Sequence, residues 1–182
     1  MNLYVIRHGQ TEWNVLKKMQ GSVDIPLNEK GLEQAEITKS NLNDISLDVI
    51  LCSPLIRAKQ TADIINSDRN LEIIIDDRLR ERTYGEFEGT SKNSFNYNDF
   101  WAYNKNLKYD KAENIQDFFK RIYDLLDEVK SKYYDKNVLI VTHAGVMKAI
   151  ECYANGMMED EEIGPFLPDN ASVQKYKIKK MI

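Results

Sequence analysis

The sequence predicts an α/β fold of three layers, with helices on both faces of a mainly parallel central sheet. Three observations carry this prediction. Short apolar, β-prone runs recur along the chain with almost no polar alternation, the pattern of strands buried on both faces. Stretches with helical periodicity separate those runs. No linker, internal repeat or low-complexity tract divides the 182 residues, so residues 1–182 are expected to form one domain.

Residues 3–6 read as the first buried strand, ending at Arg7-His8-Gly9. A helix follows over residues 30–42, with Leu32, Ala35 and Leu42 near helical spacing. Residues 48–52 form the second strand, stopped by Ser53-Pro54. Pro54 is suited to open a helix running to residue 65, because its missing N–H would be unpaired there in any case. Ala58, Ala62 and Ile65 form the inner stripe of that helix. Residues 71–75 make the third strand. The clearest helix covers residues 114–134, with Ile115, Phe118, Phe119, Ile122, Leu125, Leu126 and Val129 on one face. Residues 138–141 are the fourth strand, stopped by Thr142-His143-Ala144-Gly145, and a helix over 146–153 follows directly. Residues 172–179 alternate well enough for a last strand, placed at a sheet edge by its lysines.

Charge and cysteine usage narrow the function classes. Twenty-five Lys and Arg stand against 29 Asp and Glu, a net charge of −4, so the basic face of a nucleic-acid binder is not expected. Any anion site must therefore be built by local concentration of cations. Cys52 and Cys152 have neither zinc-site nor redox-pair spacing and read as small buried hydrophobes. The apolar opening reaches Arg7 too soon for a signal peptide, and no stretch is long enough to span a bilayer. A cytoplasmic enzyme is expected, without membrane partners. Asn170-Ala171-Ser172 matches a glycosylation sequon that has no meaning without secretion.

Catalytic groups in such sheets gather at the carboxyl ends of the strands. Arg7-His8-Gly9, Ser53 to Arg57, and Thr142 to Gly145 all fall there, and Glu81 follows the third strand after a short loop. His8 and His143 are the only two histidines of the chain. If their strands are neighbours, both imidazoles share one crevice with Arg7 and Arg57. That crevice suits a phosphomonoester, since guanidinium forks match phosphate oxygens two at a time. The helix opening at Pro54 is expected to aim its N-terminus at the same anion. Gly9 and Gly145 are expected to let backbone approach the ligand. No zinc or two-metal ligand set is visible, and no Walker loop, so neither a metal nor another cofactor is expected.

The run Arg7-His8-Gly9-Gln10-Thr11-Glu12-Trp13-Asn14 resembles the signature of the histidine phosphatase superfamily, in the branch that includes phosphoglycerate mutase. The likeness continues through Gln20-Gly21, residues 26–31, Gln34-Ala35, residues 53–62, residues 79–89 and residues 141–145, nearly the whole chain. Residues 90–113 match nothing in the pattern and form a variable, cap-like segment. The resemblance implies a phosphoglycerate mutase-like fold and a small-molecule phosphate ester as substrate. It implies His8 as nucleophile and Glu81 as general acid and base. Arg7, Asn14, Arg57 and His143 become the phosphate cradle, with His143 pictured as a cation, and Gln20 and Gly21 line the entrance. Without the resemblance, Glu81 is one carboxylate among several in its loop. The short chain and the Thr142-His143-Ala144-Gly145 form favour a phosphatase of the α-ribazole or broad-specificity kind over a mutase. A binding protein that has lost its chemistry is disfavoured, since nucleophile, acid and second histidine are all present. Trp13 and Tyr84 are expected to wall the pocket or to pack in the core, and Phe95, Tyr97, Phe100, Trp101 and Tyr103 to form a partly apolar wall or a helix packed on the body.

Overall fold

The computed structural model describes residues 1–178. In chain order its elements are β1 (Asn2–Arg7), α1 (Glu12–Val15), α2 (Glu29–Asn41), β2 (Val49–Cys52), α3 (Ile56–Asn66), β3 (Ile73–Ile75), α4 (Tyr97–Trp101), α5 (Ile115–Lys132), β4 (Asn137–Thr142), α6 (Ala144–Asn155), α7 (Asp160–Ile163) and β5 (Val173–Lys177). Short 3₁₀ turns lie between β3 and α4.

The strands form one sheet in the order β3-β2-β4-β1-β5. β3, β2, β4 and β1 run parallel, and β5 lies antiparallel against β1 at one edge. The expected edge placement of the last strand therefore holds for its described part; Lys179 lies outside the described residues. Successive side chains of a strand point to opposite faces, and the core divides accordingly. Leu3, Val5, Leu51, Val138 and Ile140 join a large cluster with α5 and α6. Tyr4, Ile6, Ile50, Leu139 and Val141 join a second with Leu42, Ala58, Ala62 and Ile65 from the α2 and α3 region. Three layers result, as the buried runs imply. Among the described residues no helix is long and apolar enough to cross a membrane.

Three local expectations need correction. α3 begins at Ile56, not Pro54, because Leu55 is buried in an extended conformation (φ −69°, ψ 138°) as the N-cap. Leu55 offers no capping side chain, and the carboxylate of Asp24 accepts the Ile56 N–H at 2.6 Å instead. That helix end is thus spent on a protein carboxylate rather than aimed at a ligand. Leu32 is 41% exposed, and the inner face of α2 is made by Gly31, Ala35 and Thr38. β3 is a three-residue edge strand and is not buried on both faces: Ile75 is 48% exposed, since only β2 covers that side of the sheet.

Residues 90–113 pack as part of the body. Phe100 and Trp101 of α4 are fully buried. The guanidinium of Arg82 lies 3.8 Å from the Phe100 ring centroid and donates to the carbonyls of Phe100 and Glu113, pinning the middle and the last residue of this segment.

Candidate active site

Sheet register assembles the site. β1 and β4 are parallel neighbours with Arg7 opposite Thr142, so His8 and His143 leave adjacent strand ends together. The His8 N–H donates to the Thr142 carbonyl at 2.9 Å, and the two ring centroids are 5.3 Å apart. β2 flanks β4 on its other side with Cys52 opposite Val141, which brings the Ser53 hydroxyl 2.7 Å from His143 Nε2.

His8 Nδ1 lies 2.7 Å from the Gly9 carbonyl. A carbonyl only accepts, so Nδ1 carries the proton and Nε2 keeps its lone pair. Burial, then Arg57 and Arg7, push the His8 pKa well below the usual imidazole value, and the ring is neutral. The expectation of a cationic His143 concerns the ring beside phosphate oxygens. Burial, Arg57, His8 and Arg7 push its pKa well down too, so its neutral form is preferred. A phosphate dianion against both rings would act in the opposite direction.

Arg57 is wholly buried and donates from both Nη atoms to Val23 (2.7 Å) and Gly21 (2.8 Å) carbonyls, while its Nε has no protein partner. It therefore fixes the loop bearing Gln20 and Gly21. Burial lowers its pKa to about 10, which leaves it charged near neutral pH. Arg7 donates to the Pro168 carbonyl at 2.7 Å and likewise keeps an unpartnered Nε. Asn14 closes a capping box with Thr11. Its Oδ1 accepts from the Thr11 N–H and hydroxyl, which turns its amide nitrogen away from those groups.

Glu81 is buried with both oxygens seated: Oε1 accepts the Arg82 N–H and Oε2 the Gly145 N–H, each at 2.9 Å. Gly145 makes this possible. A Cβ there would lie 2.1 Å from Glu81 Oε1 and 2.6 Å from the Trp101 ring. The expectation that Gly9 and Gly145 make room for a ligand is thus revised: a Cβ on Gly9 would strike the Gly31 carbonyl at 2.4 Å. Both glycines serve contacts within the chain.

Seven of the eight expected site residues, Arg7, His8, Asn14, Gln20, Gly21, Arg57 and Glu81, line one cavity of about 410 Å³. His143 is not on its wall but lies against His8. Trp13, Tyr84, Tyr97 and Trp101 also line it. Sequence reasoning missed three lysines on its wall, Lys17, Lys18 and Lys148; with Lys92 of the 90–113 segment they are opposed by Glu81, the single acidic lining residue among those described. It also missed Glu88, whose Oε1 accepts from the Ser22 N–H and hydroxyl and so shapes the entrance loop. Asn170, read only as part of a sequon, donates to the His8 carbonyl and Asn14 Oδ1. Lys148 alone carried a signal, as a lysine among Val146, Met147, Ala149 and Ile150.

Comparison with known proteins bears on the chemistry. A family model described as "Histidine phosphatase superfamily (branch 1)" matches residues 3–181. The "Uncharacterized phosphatase PhoE" of Bacillus subtilis is 39% identical over 148 residues, covering 80% of this chain and 73% of that protein. "Phosphoserine phosphatase 1" of Hydrogenobacter thermophilus is 30% identical over 178 residues, covering 94% and 84%. Among solved structures, the "Alpha-ribazole Phosphatase from Shigella flexneri" superposes with a TM-score of 0.83 at 30% identity, over 96% of this chain and 89% of that one.

Proposed function

The chain belongs to branch 1 of the histidine phosphatase superfamily and is a phosphatase; from that premise we propose that it hydrolyses small phosphate monoesters through a phosphohistidine on His8. The observation that carries this reading is the neutral His8 ring, held at Nδ1 by the Gly9 carbonyl beside the buried guanidinium of Arg57 and the partly buried one of Arg7. Nε2 attacks phosphorus as the ester P–O bond breaks, and Glu81 gives its proton to the departing alkoxide. Glu81 then takes a proton from water, whose oxygen attacks phosphorus and breaks the P–N bond. Inorganic phosphate leaves, and His8 and Glu81 return to their starting forms. Arg7, Asn14, Arg57 and His143 surround the equatorial oxygens and stabilise their charge through the transfer.

In this reading residues 1–182 form one histidine phosphatase domain, and residues 90–113 are a fixed wall that selects the alcohol. The arginines and imidazoles suffice for one phosphoryl group. Lys17, Lys18 and Lys92 remain on the cavity wall without an acidic partner there. They favour an alcohol bearing a second anionic group, as in phosphoserine, over a neutral one such as α-ribazole. Assay against O-phosphoserine, 3-phosphoglycerate, α-ribazole phosphate and p-nitrophenyl phosphate tests this. Phosphate release with kcat/KM about tenfold higher for the anionic alcohols is expected, as one added charge-assisted contact allows. A lead for α-ribazole phosphate would remove the anionic-alcohol reading. Phosphoryl movement between glycerate hydroxyls, dependent on a bisphosphate activator and without phosphate release, would establish the mutase instead.

Gly145→Ala is expected to unseat Glu81 and lower kcat by about 10- to 100-fold, since small displacements of a catalytic group carry losses of this size. Steady-state kinetics on the folded variant check it; an unchanged kcat would mean that the seat of Glu81 is dispensable.

A further inference from the structure

Lys148 is wholly buried on α6, one turn beyond Gly145. Its ammonium donates to the carbonyls of Ile163 (2.6 Å), Gly164 (2.7 Å) and Phe166, and sits 5.1 Å from the Trp101 ring centroid. An ammonium has three N–H bonds, and three carbonyls take them all. Although Lys148 borders the cavity, no donor is left for a substrate, so any part it plays is exerted through the chain it holds.

That chain runs straight to the phosphate-facing groups. Pro168 accepts from Arg7, and Asn170 donates to the His8 carbonyl (3.0 Å) and to Asn14 Oδ1 (3.3 Å). The far end is fixed where the Ala171 N–H meets the Arg7 carbonyl and the Ala171 carbonyl meets Thr38 Oγ1. We propose that Lys148 is a positioning residue: it pins the near end of the strap 163–171, through which Pro168 and Asn170 hold Arg7 and Asn14 ready for phosphate. This rests on Arg7 and Asn14 being phosphate contacts.

The ammonium gives the strap a dependence on pH. Burial pushes the Lys148 pKa down to about 7. The groups acting on it are Glu81 after β3 and Cys152 on α6, which favour the charge, and Arg7 of β1 and Lys92 of the cap, which oppose it. α5 meets α6 through the apolar cluster. A neutral amine has two N–H bonds for three carbonyls, so one acceptor is lost as pH rises through this value and the strap loosens.

The test compares wild type, Lys148→Met and Lys148→Arg by calorimetric titration with inorganic phosphate, p-nitrophenyl phosphate kinetics and circular dichroism. Comparison with Lys148→Arg at each pH cancels the ionisation of phosphate itself. Lys148→Met is expected to weaken phosphate binding about tenfold and to raise KM more than it lowers kcat, the scale of one misplaced charge-assisted contact. Lys148→Arg keeps its charge, restores most of the binding, and gains on wild type as pH rises above about 7. Binding by Lys148→Met within about twofold of wild type, or a ratio of wild type to Lys148→Arg that stays constant with pH, overturns the proposal. Should Lys148→Met not fold, that ratio decides alone. Wild type that neither binds phosphate nor cleaves esters would remove the phosphate reading and this inference together, whereas an active wild type with indifferent variants removes the inference only.

Discussion

His8→Ala is expected to abolish turnover and phosphoenzyme formation together. Among the described residues His8 is the one imidazole on the cavity wall: His143 lies off that wall with Nε2 against the Ser53 hydroxyl, and the Lys148 Nζ is enclosed by the carbonyls of Ile163, Gly164 and Phe166. Loss of a covalent nucleophile lowers kcat by about 10⁴- to 10⁶-fold where a protein has no substitute. The substitution also leaves the Gly9 carbonyl without its donor, a cost of about 1–3 kcal/mol, so a melting curve must accompany the kinetics. Phosphoenzyme is trapped by alkaline quench, because an acid quench cleaves phosphoramidates. A folded variant that still turns over at normal rates would falsify the assignment of His8.

Glu81→Gln is expected to separate substrates by leaving group. With an alkyl phosphate the departing alkoxide needs a proton, and kcat/KM should fall by about 10²- to 10⁴-fold. With p-nitrophenyl phosphate the phenolate leaves unaided, and the loss should stay near about tenfold. That residual loss has its own cause. Both carboxylate oxygens of Glu81 accept backbone N–H groups, and a glutamine amide must turn a donor toward one of them. The two parts are separable in kcat/KM, which reports phosphoryl transfer to His8: there the clash acts on both substrates and the leaving-group proton on one, whereas loss of the base toward water lowers kcat for both. Equal losses for both would argue against Glu81 as the acid.

The fold was legible because strand burial is written in composition: the runs ending at Arg7, Cys52 and Thr142 have no polar alternation, and they form the centre of the sheet. The cluster at their carboxyl ends was legible for the same reason, since strand order alone brings residues 7, 8 and 143 together. What could not be read depends on partners distant in sequence. The start of α3 turns on Asp24, 32 residues away, and the exposure of Ile75 on its strand having one neighbour only. The lowered pKa of His143 is set by burial and by Arg57, His8, Arg7 and Arg121 rather than by its own context. Lys148 answers to carbonyls 15 to 18 residues later, so its local sequence marks it as odd without saying why.

The parallel pairing of β1 with β4 limits how this scaffold can vary. Backbone spacing across a sheet is near 4.8 Å whatever the side chains, and slipping one strand by a residue would swing its imidazole to the reverse face. The reactive pair is therefore as stiff as the hydrogen-bond ladder beneath it and cannot be retuned gradually. Diversity in what is dephosphorylated must then come from the periphery, where Lys17, Lys18, Lys92 and Asn93 can change identity without disturbing the spacing of the two rings.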